Sequence, residues 1–123
     1  MAKIMIVDDE KDILTLVGEM LRREGYAIVE CSSGVECLEK VEKEKPDLIL
    51  MDIMMPDPDG FTVAKKLKEG KATKNIPIAM LTVKSSRDDK IKSFRDFKCD
   101  GYITKPVNRS ELLKVVEWML EGK

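Results

Sequence analysis

The most regular feature of the sequence is a series of short apolar runs, each four to six residues long. Their length and their content of Ile, Leu and Val are typical of buried β-strands. Because the apolar residues are mostly continuous rather than alternating, such strands must be covered on both faces, as in a parallel sheet. The runs are KIMIV (3–7), YAIVEC (26–31), DLILM (47–51), IPIAML (76–81) and GYIT (101–104).

The segments after these runs have helical spacing, because their apolar residues recur at intervals of three and four. Pro46 ends the second of these segments, Gly25 suits a C-terminal cap for the first, and Asn108 followed by Glu111 suits an N-cap and capping box for the last. The predicted stripes are Ile13, Leu16, Val17, Met20 and Leu21; Val35, Leu38 and Val41; Phe61, Ala64 and Leu67; Ile91, Phe94 and Phe97; and Leu112, Val115, Val116, Met119 and Leu120.

This order of elements predicts five β–α units in one α/β domain covering residues 1–123. The fold class is a doubly wound, five-stranded parallel sheet of strand order 2-1-3-4-5, flanked by five helices and joined by right-handed crossovers. No linker or repeat interrupts the pattern. We expect a single domain with no output domain, because the sequence ends just after the fifth predicted helix.

Composition narrows the classes of function. The 22 basic and 23 acidic side chains nearly cancel, so nothing favours bulk attraction to nucleic acid or to a membrane surface. The apolar runs are far shorter than the ~20 residues of a spanning helix, and acids from Asp8 onward exclude a signal peptide.

Cys31, Cys37 and Cys99 lack metal-type spacing, which predicts reduced thiols in a cytoplasmic protein. The chain has no histidine, so any chemistry must use carboxylates, hydroxyls, lysines or a metal.

Asp52 is the one charge inside the longest apolar stretch, LILMDIMM (48–55). A buried and unpaired carboxylate is costly, so an acid at this point suggests a function. In open parallel sheets, sites form at the carboxyl ends of the strands, where the strand order reverses. The residues at the five predicted strand ends are Asp8, Asp9 and Glu10; Cys31, Ser32 and Ser33; Asp52; Thr82; and Thr104, Lys105 and Pro106.

The residues at four of these ends suit phosphoryl chemistry. Asp8, Asp9 and Asp52 would repel one another, and a hard divalent cation with oxygen ligands, such as Mg²⁺, would relieve this repulsion. Lys105 can pair with a phosphoryl oxygen and Thr82 can donate a hydrogen bond to one. One carboxylate could then act as nucleophile and form an acyl phosphate.

Each of these residues also has an ordinary explanation. Acids after a strand often stabilise the first turn of a helix, a threonine at a strand end is unremarkable, and Lys-Pro is a common turn. Taken singly, Thr82 and Lys105 favour those explanations. Only their predicted convergence on one edge of the sheet favours a site.

Four segments together resemble the receiver domain of two-component response regulators: IMIVDDE (4–10), LILMDIMMPDPDG (48–60), AMLTVK (79–84) and GYITKPV (101–107). The resemblance covers essentially the whole chain. It implies that Asp52 accepts a phosphoryl group from the phosphohistidine of a sensor histidine kinase or a histidine phosphotransfer protein.

The resemblance also implies individual roles for the other residues. Asp9 and Asp52 would bind Mg²⁺ directly, together with the backbone carbonyl of Met54, and Asp8 would act mainly through a metal-bound water. Lys105 would pair with the phosphoryl group, and its peptide bond to Pro106 would be cis.

Thr82 resembles the switch hydroxyl of the family and Tyr102 the switch aromatic. Tyr102 would turn inward when Thr82 moves and change the face formed by the fourth helix, fifth strand and fifth helix. Its alternative is an ordinary half-buried strand aromatic. The downstream target is not specified, and a phosphorylation-dependent dimer through this face stays open.

Three positions that vary within the family suggest how this chain behaves. Met54 is apolar and Lys84 is long and cationic, which predicts poor positioning of the attacking water and a long-lived phosphoryl group. Val83 is bulkier than the small residue usual there, which predicts restricted access for small phosphodonors.

Three other classes of function compete with this prediction. A haloacid-dehalogenase-type phosphatase needs an acid two residues after its nucleophile, where this chain has Met54. A flavin or nucleotide module needs a Gly- or Ser/Thr-rich phosphate loop, but the first loop is DDEKD (8–12). A degenerate receiver, acting only as an interaction module, would not need the full set of site residues. The sequence therefore predicts a phosphorylation-driven switch that catalyses only its own phosphorylation and dephosphorylation.

Overall fold

The computed structural model describes residues 2–83 and 100–121. Its strands form one parallel sheet ordered β2-β1-β3-β4-β5, which confirms the predicted order. The boundaries differ from the predicted runs by two residues at most. The strands are β1 (Lys3–Val7), β2 (Ala27–Cys31), β3 (Leu48–Asp52), β4 (Ile78–Thr82) and β5 (Gly101–Thr104).

Four helices lie within the described residues: α1 (Lys11–Arg22), α2 (Gly34–Glu44), α3 (Gly60–Glu69) and α4 (Arg109–Leu120). Helix α4 is the fifth helix of the sequence prediction. The predicted helix of Ile91, Phe94 and Phe97, and also Cys99, lie outside the described residues. No helix of the described part has both the length and the apolar character needed to cross a membrane.

Successive residues of the central strands pack into two separate cores, one on each side of the sheet. Every residue of β3 and β4 is buried, as the continuous apolar runs require. Met51 and Met80 pack with apolar residues of α2 and α3, while Leu50 and Leu81 pack with those of α1 and α4. Cys31 and Cys37 are buried free thiols.

The inner faces of two helices differ from the predicted stripes. In α1 the buried residues are Leu14, Val17, Gly18 and Leu21, whereas Leu16 is 42% exposed. In α2 the prediction was wrong for Val35, which is 51% exposed. The cause is that two overlapping stripes of helical spacing exist in α1, and contact with the sheet selects the one that contains Gly18.

The predicted N-cap of the last helix and the predicted C-terminal cap of the first helix are confirmed. The Asn108 side chain caps α4 by accepting a hydrogen bond from the Glu111 amide at 3.0 Å. After α1, Gly25 has a φ of 93° and donates its amide to Arg22 O, while Tyr26 N donates to Leu21 O. These two bonds form a Schellman motif, whose left-handed position glycine occupies without strain.

Lys45 ends α2 in the left-handed conformation, with a φ of 47°, where glycine is the usual residue. We expect Lys45→Gly to raise the free energy of unfolding by about 0.5–1 kcal/mol, because it removes the clash of Cβ with the carbonyl oxygen. Urea denaturation of both proteins measures this. Lys43→Gly is the control, because it lies inside the last turn of α2 and should lose about 0.5–1 kcal/mol. Equal losses for both variants would contradict the prediction.

Candidate functional site

The carboxyl ends of β1, β3, β4 and β5 lie side by side at one edge of the sheet. Strand register sets this alignment, because residues that pair across parallel strands lie at the same height. Asp8 directly follows β1, Asp52 and Thr82 end β3 and β4, and Lys105 directly follows β5. The aligned pairs nearest this edge are Val7 with Met51, Asp52 with Leu81, and Thr82 with Thr104.

Three aspartates converge at this edge, as the sequence predicts. One carboxylate oxygen from each of Asp8, Asp9 and Asp52 lies within 4.8 Å of the others. Asp8 and Asp52 are buried, whereas Asp9 is exposed. The cluster is therefore open to solvent on the Asp9 side and closed on the side of the sheet.

Lys105 is the cation of the cluster and is only 7% exposed. Its Nζ lies 2.9 Å from Asp8 Oδ2, 3.3 Å from Asp52 Oδ1 and 3.5 Å from Glu10 Oε1. Burial acts to lower the pKa of Lys105, but the carboxylates of Asp8 and Asp52 outweigh burial and raise it. The ammonium group therefore stays charged and is shared among three carboxylates.

The carboxyl of Asp52 is harder to ionise than an ordinary aspartate. Burial raises the pKa of Asp52 to about 6, with a further contribution from the nearby charge of Asp8. Lys105 and the amide of Met54, which donates to Asp52 Oδ1 at 3.2 Å, act in the opposite direction. At neutral pH Asp52 thus carries a negative charge that its surroundings only partly compensate.

The two oxygens of Asp8 have different surroundings. Oδ1 accepts a hydrogen bond from the Glu10 amide at 2.8 Å. Oδ2 is fully buried and forms an ion pair with Lys105 Nζ at 2.9 Å. Three clustered carboxylates that share one ammonium group are a donor set that fits a hard divalent cation such as Mg²⁺.

Thr82 and Tyr102 lie where the sequence places them, on neighbouring strands. Thr82 is buried, and its carbonyl accepts a hydrogen bond from the Lys105 amide at 2.6 Å. Tyr102 is half-buried, aligns with Met80 and packs against the core on the α2 and α3 side. This position suits both predictions for Tyr102, the switch and the ordinary strand aromatic. The bond between Lys105 and Pro106 is cis, as the resemblance implies.

Two apolar side chains that follow β3 and β4 are exposed near the acids. Met54 is 72% exposed and Val83 is 60% exposed. Met54 lies two residues after Asp52, and the backbone amide of Met54 donates a hydrogen bond to the Asp52 carboxylate. Lys84, the third variable position, lies outside the described residues.

Two functional contacts were missed by the sequence analysis. Glu10 contacts Lys105, although it was noted only as a strand-end acid. Gly60 packs so closely under the site that a Cβ there would meet the carbonyl oxygen of Asp52 and lie 2.8 Å from the Cα of Ile53. The sequence signal for Gly60 was its place in the turn before α3, but turn glycines do not reveal which backbone they approach.

Residues 4–117 match the family model described as the response regulator receiver domain. Among curated proteins, the chain is 44% identical over 110 residues to the alkaline phosphatase synthesis transcriptional regulatory protein PhoP of Bacillus subtilis, covering 89% of this chain and 45% of PhoP. It is 35% identical over 122 residues to protein PilH of Pseudomonas aeruginosa, covering 99% of this chain and all of PilH. The chain thus spans about half the length of PhoP and the full length of PilH.

Solved structures give the same result. A putative response regulator from Chloroflexus aurantiacus superimposes with a TM-score of 0.92 at 32% identity, covering 98% of both chains. Chemotaxis protein CheY4 of Vibrio cholerae gives 0.90 at 33% identity, covering 95% of this chain and 97% of CheY4. The receiver domain of a sensor histidine kinase from Pseudomonas aeruginosa gives 0.88 at 25% identity over 98% of both chains, and it holds a magnesium ion in its active-site cleft.

Proposed function

The chain belongs to the response regulator receiver domain family, and from this premise we propose that Asp52 accepts a phosphoryl group from a histidine kinase or a histidine phosphotransfer protein. The observation that carries the proposal is the buried Asp52 carboxylate at the end of β3, with Lys105 Nζ at 3.3 Å and two more aspartates beside it. Receiver domains are phosphoacceptor signalling domains rather than turnover enzymes.

We assign the metal site to Asp8, Asp9 and Asp52, with the backbone carbonyl of Met54 as a further ligand. When bound, Mg²⁺ would neutralise charge that develops on the transferring group. The clustering supports this assignment, because one carboxylate oxygen from each of the three aspartates lies within 4.8 Å of the others and the single charge of Lys105 does not balance all three. The exposed Asp9 leaves an open side through which a cation and a phosphodonor can enter.

In the proposed reaction a carboxylate oxygen of Asp52 attacks the phosphorus of the donor phosphohistidine. A P–O bond forms, the P–N bond breaks, and the donor imidazole nitrogen keeps the electron pair and takes a proton. Both the Met54 amide and Lys105 contact Asp52 Oδ1, which fixes the carboxylate for attack. Because the pKa of Asp52 is about 6, most of the protein holds the nucleophile in its ionised form at neutral pH.

After transfer, Lys105 would exchange its contact with Asp52 Oδ1 for a phosphoryl oxygen, and Thr82 would donate its hydroxyl to another. The Lys105 amide donates a hydrogen bond to the Thr82 carbonyl, so the two residues lie next to each other at this edge of the sheet. Tyr102, two residues before Thr104 in β5, would then turn inward. This movement would alter the face formed by the predicted fourth helix, strand β5 and helix α4, which is the fifth predicted helix. A downstream partner would bind to this face.

The alternative function, an aspartate-nucleophile phosphatase, requires a second acid two residues after the nucleophile. In this chain that position is Met54, whose side chain is exposed. A degenerate receiver is disfavoured because Lys105 Nζ contacts both Asp8 and Asp52. The buried thiols of Cys31 and Cys37 are free, which supports a location in the reducing cytoplasm.

The proposal is tested by locating the phosphoryl group. The protein is incubated with Mg²⁺ and a phosphorylated histidine kinase, reduced with borohydride to convert an aspartyl phosphate into homoserine, and analysed by peptide mass spectrometry. We expect the conversion at position 52 alone, and none when EDTA replaces Mg²⁺. Conversion at Asp8 or Asp9, or a phosphoryl group on a serine or threonine, would overturn the assignment.

A second result is expected for the lifetime of the phosphoryl group. The exposed apolar Met54 side chain beside Asp52 cannot hydrogen-bond an attacking water, so hydrolysis should be slow. We expect Met54→Asn to hydrolyse its phosphoryl group roughly tenfold faster, because an amide can orient that water. Loss of radiolabel over time measures the rate, with Val35→Asn as a control at an exposed site on α2. A wild type that is equally fast or faster than Met54→Asn would contradict the prediction.

A further inference from the structure

Glu10 occupies a position that the stability of its own helix does not explain. It is the N-cap residue of α1, where Ser, Thr, Asp and Asn are preferred because their short side chains reach the free amides of the first turn. The other described helices follow this preference, since Ser33, Asp59 and Asn108 each accept a hydrogen bond from the amide three residues ahead. The Glu10 side chain makes no such bond. The glutamate at this position therefore calls for a reason outside α1.

The side chain of Glu10 contacts Lys105 instead of the helix. Glu10 Oε1 lies 3.5 Å from Lys105 Nζ, although the two residues are 95 positions apart in the chain. The backbone of Glu10 is fixed separately, because its amide donates to Asp8 Oδ1 at 2.8 Å. Its carbonyl accepts hydrogen bonds from the amides of Ile13 and Leu14 at 3.0 and 3.2 Å. An ordered main chain thus presents the Glu10 carboxylate to the lysine, which lowers the entropic cost of the contact.

Asp8 and Glu10 contact the ammonium group of Lys105 from different environments. Asp8 is fully buried and lies 2.9 Å from Nζ, whereas the side chain of Glu10 is 62% exposed. Asp8 therefore attracts the ammonium group toward the sheet, and Glu10 attracts it toward solvent. Because Lys105 is itself buried, water and salt screen these attractions less than they would at the surface. The position of Nζ thus depends on both carboxylates.

Glu10 also differs from the other partners of Lys105 because it lies outside the cluster assigned to Mg²⁺. That cluster consists of Asp8, Asp9 and Asp52, two of which are the closer partners of Lys105. A cation and the ammonium group would therefore compete for Asp8 and Asp52, whereas Glu10 stays available to the lysine. Of the ion pairs that Lys105 forms within residues 2–83 and 100–121, only the pair with Glu10 involves an acid outside this cluster.

We propose that Glu10 is a positioning residue for Lys105: it holds the ammonium group toward the solvent side of the cluster, where the phosphoryl group arrives. This inference rests on the proposed function, because it gives Glu10 a part in phosphoryl acceptance. Without the contact, Lys105 would pair more closely with Asp8 and Asp52. Those two carboxylates would then be less available to a divalent cation and to the phosphorus of the donor. Glu10 acts only through the lysine.

The variant Glu10→Asp separates the contact with Lys105 from the charge at position 10. Aspartate keeps the negative charge but is shorter by one methylene group, so its carboxylate no longer reaches Lys105, and it is a preferred N-cap residue. We expect the melting temperature to rise, while the dissociation constant of Mg²⁺ increases about threefold. Opposite changes in stability and in binding exclude a general loss of structure as the cause.

Two measurements on the full chain test the proposal. Amide shifts of the unphosphorylated ¹⁵N-labelled protein during titration with Mg²⁺ give the dissociation constant, and labelling by a phosphorylated kinase at saturating Mg²⁺ gives the rate of acceptance. Glu10→Asp and Glu10→Gln should both lower this rate about threefold. Asp12→Asn is the matched control, because it removes an exposed acid from the same helix end that does not contact Lys105. In about 0.15 M salt the control should match the wild type in both measurements.

Three results would overturn the role of Glu10. Glu10→Asp could match the wild type in Mg²⁺ binding and labelling, or Glu10→Gln could lose no more than Asp12→Asn, so that charge alone would explain the effect. A melting temperature of Glu10→Asp that falls together with its Mg²⁺ affinity would show a structural role instead. The proposed function fails separately, if the wild type binds Mg²⁺ but carries no phosphoryl group on Asp52. The Mg²⁺ titrations would still decide whether Glu10 positions Lys105.

Discussion

An Asp52→Asn variant should accept no phosphoryl group and yet be more stable than the wild type when divalent cations are absent. The loss of labelling follows because an amide oxygen is not a competent nucleophile toward phosphohistidine. The gain in stability follows because burial and Asp8 raise the pKa of Asp52 to about 6. Ionisation of this carboxyl at neutral pH therefore lowers the free energy of unfolding of the wild type. A shift of about two pKa units, in which the opposing effect of Lys105 is already included, corresponds to about 3 kcal/mol, and this is the largest gain in stability that we expect.

The gain from Asp52→Asn should depend on pH in a defined direction. The unfolded carboxyl ionises near pH 4 and the folded one near pH 6, so the unfolded chain releases its proton first. The wild type therefore loses stability relative to the variant as pH rises from about 4 to about 6, and the difference stays constant above about pH 7. Urea denaturation in EDTA between pH 4 and pH 8 measures it.

Two controls separate this effect from general changes. Glu39→Gln removes an exposed acid of α2 and should show no comparable pH-dependent gain. Adding Mg²⁺ should stabilise the wild type more than Asp52→Asn, because the variant offers the cation a neutral amide in place of a carboxylate. If Asp52→Asn were less stable than the wild type at pH 7.5 without cations, the repulsion inferred at this site would be wrong.

The convergence of the site residues could be predicted because it depends on topology alone. Once five β–α units define a parallel sheet of order 2-1-3-4-5, the residues that follow the strands must meet at one edge. Asp8, Asp52, Thr82 and Lys105 were placed in this way. The structure adds what topology does not contain: Lys105 bridges Asp8, Asp52 and Glu10.

Details that depend on the rotation of a helix or on a single backbone angle could not be predicted. Residues 13–21 contain two overlapping apolar stripes, and only packing against the sheet buries Leu14 and exposes Leu16. Lys45 takes a conformation that favours glycine, and the sequence before Pro46 marks only the end of a helix. Local spacing specifies the element, whereas tertiary contact specifies its face and its terminal angles.

Gly60→Ala is expected to lower the free energy of unfolding by roughly 3 kcal/mol and to impair phosphoryl acceptance as well. A Cβ at this position would meet the carbonyl oxygen of Asp52 and lie 2.8 Å from Ile53 Cα and 2.9 Å from the carbonyl carbon of Asp52. All three atoms belong to the backbone, so no side-chain rotation relieves the contact. The Gly60 amide donates to Ile53 O at 3.1 Å, which ties the start of α3 to the residue after the phosphoacceptor.

Gly18→Ala is the matched control for this prediction, because it adds the same methyl group in α1. There the nearest atoms are Arg22 Nη1 and Glu30 Oε2, each at 3.2 Å and each at the end of a flexible side chain. The control should therefore range from no change to a gain of about 1 kcal/mol from helix propensity. Urea denaturation gives the stability of both variants, and labelling by a phosphorylated kinase gives their activity. If Gly60→Ala matched Gly18→Ala in both measurements, the backbone of Asp52 would not depend on the close approach of α3. The expected difference would instead show that Gly60 positions the phosphoacceptor through the main chain.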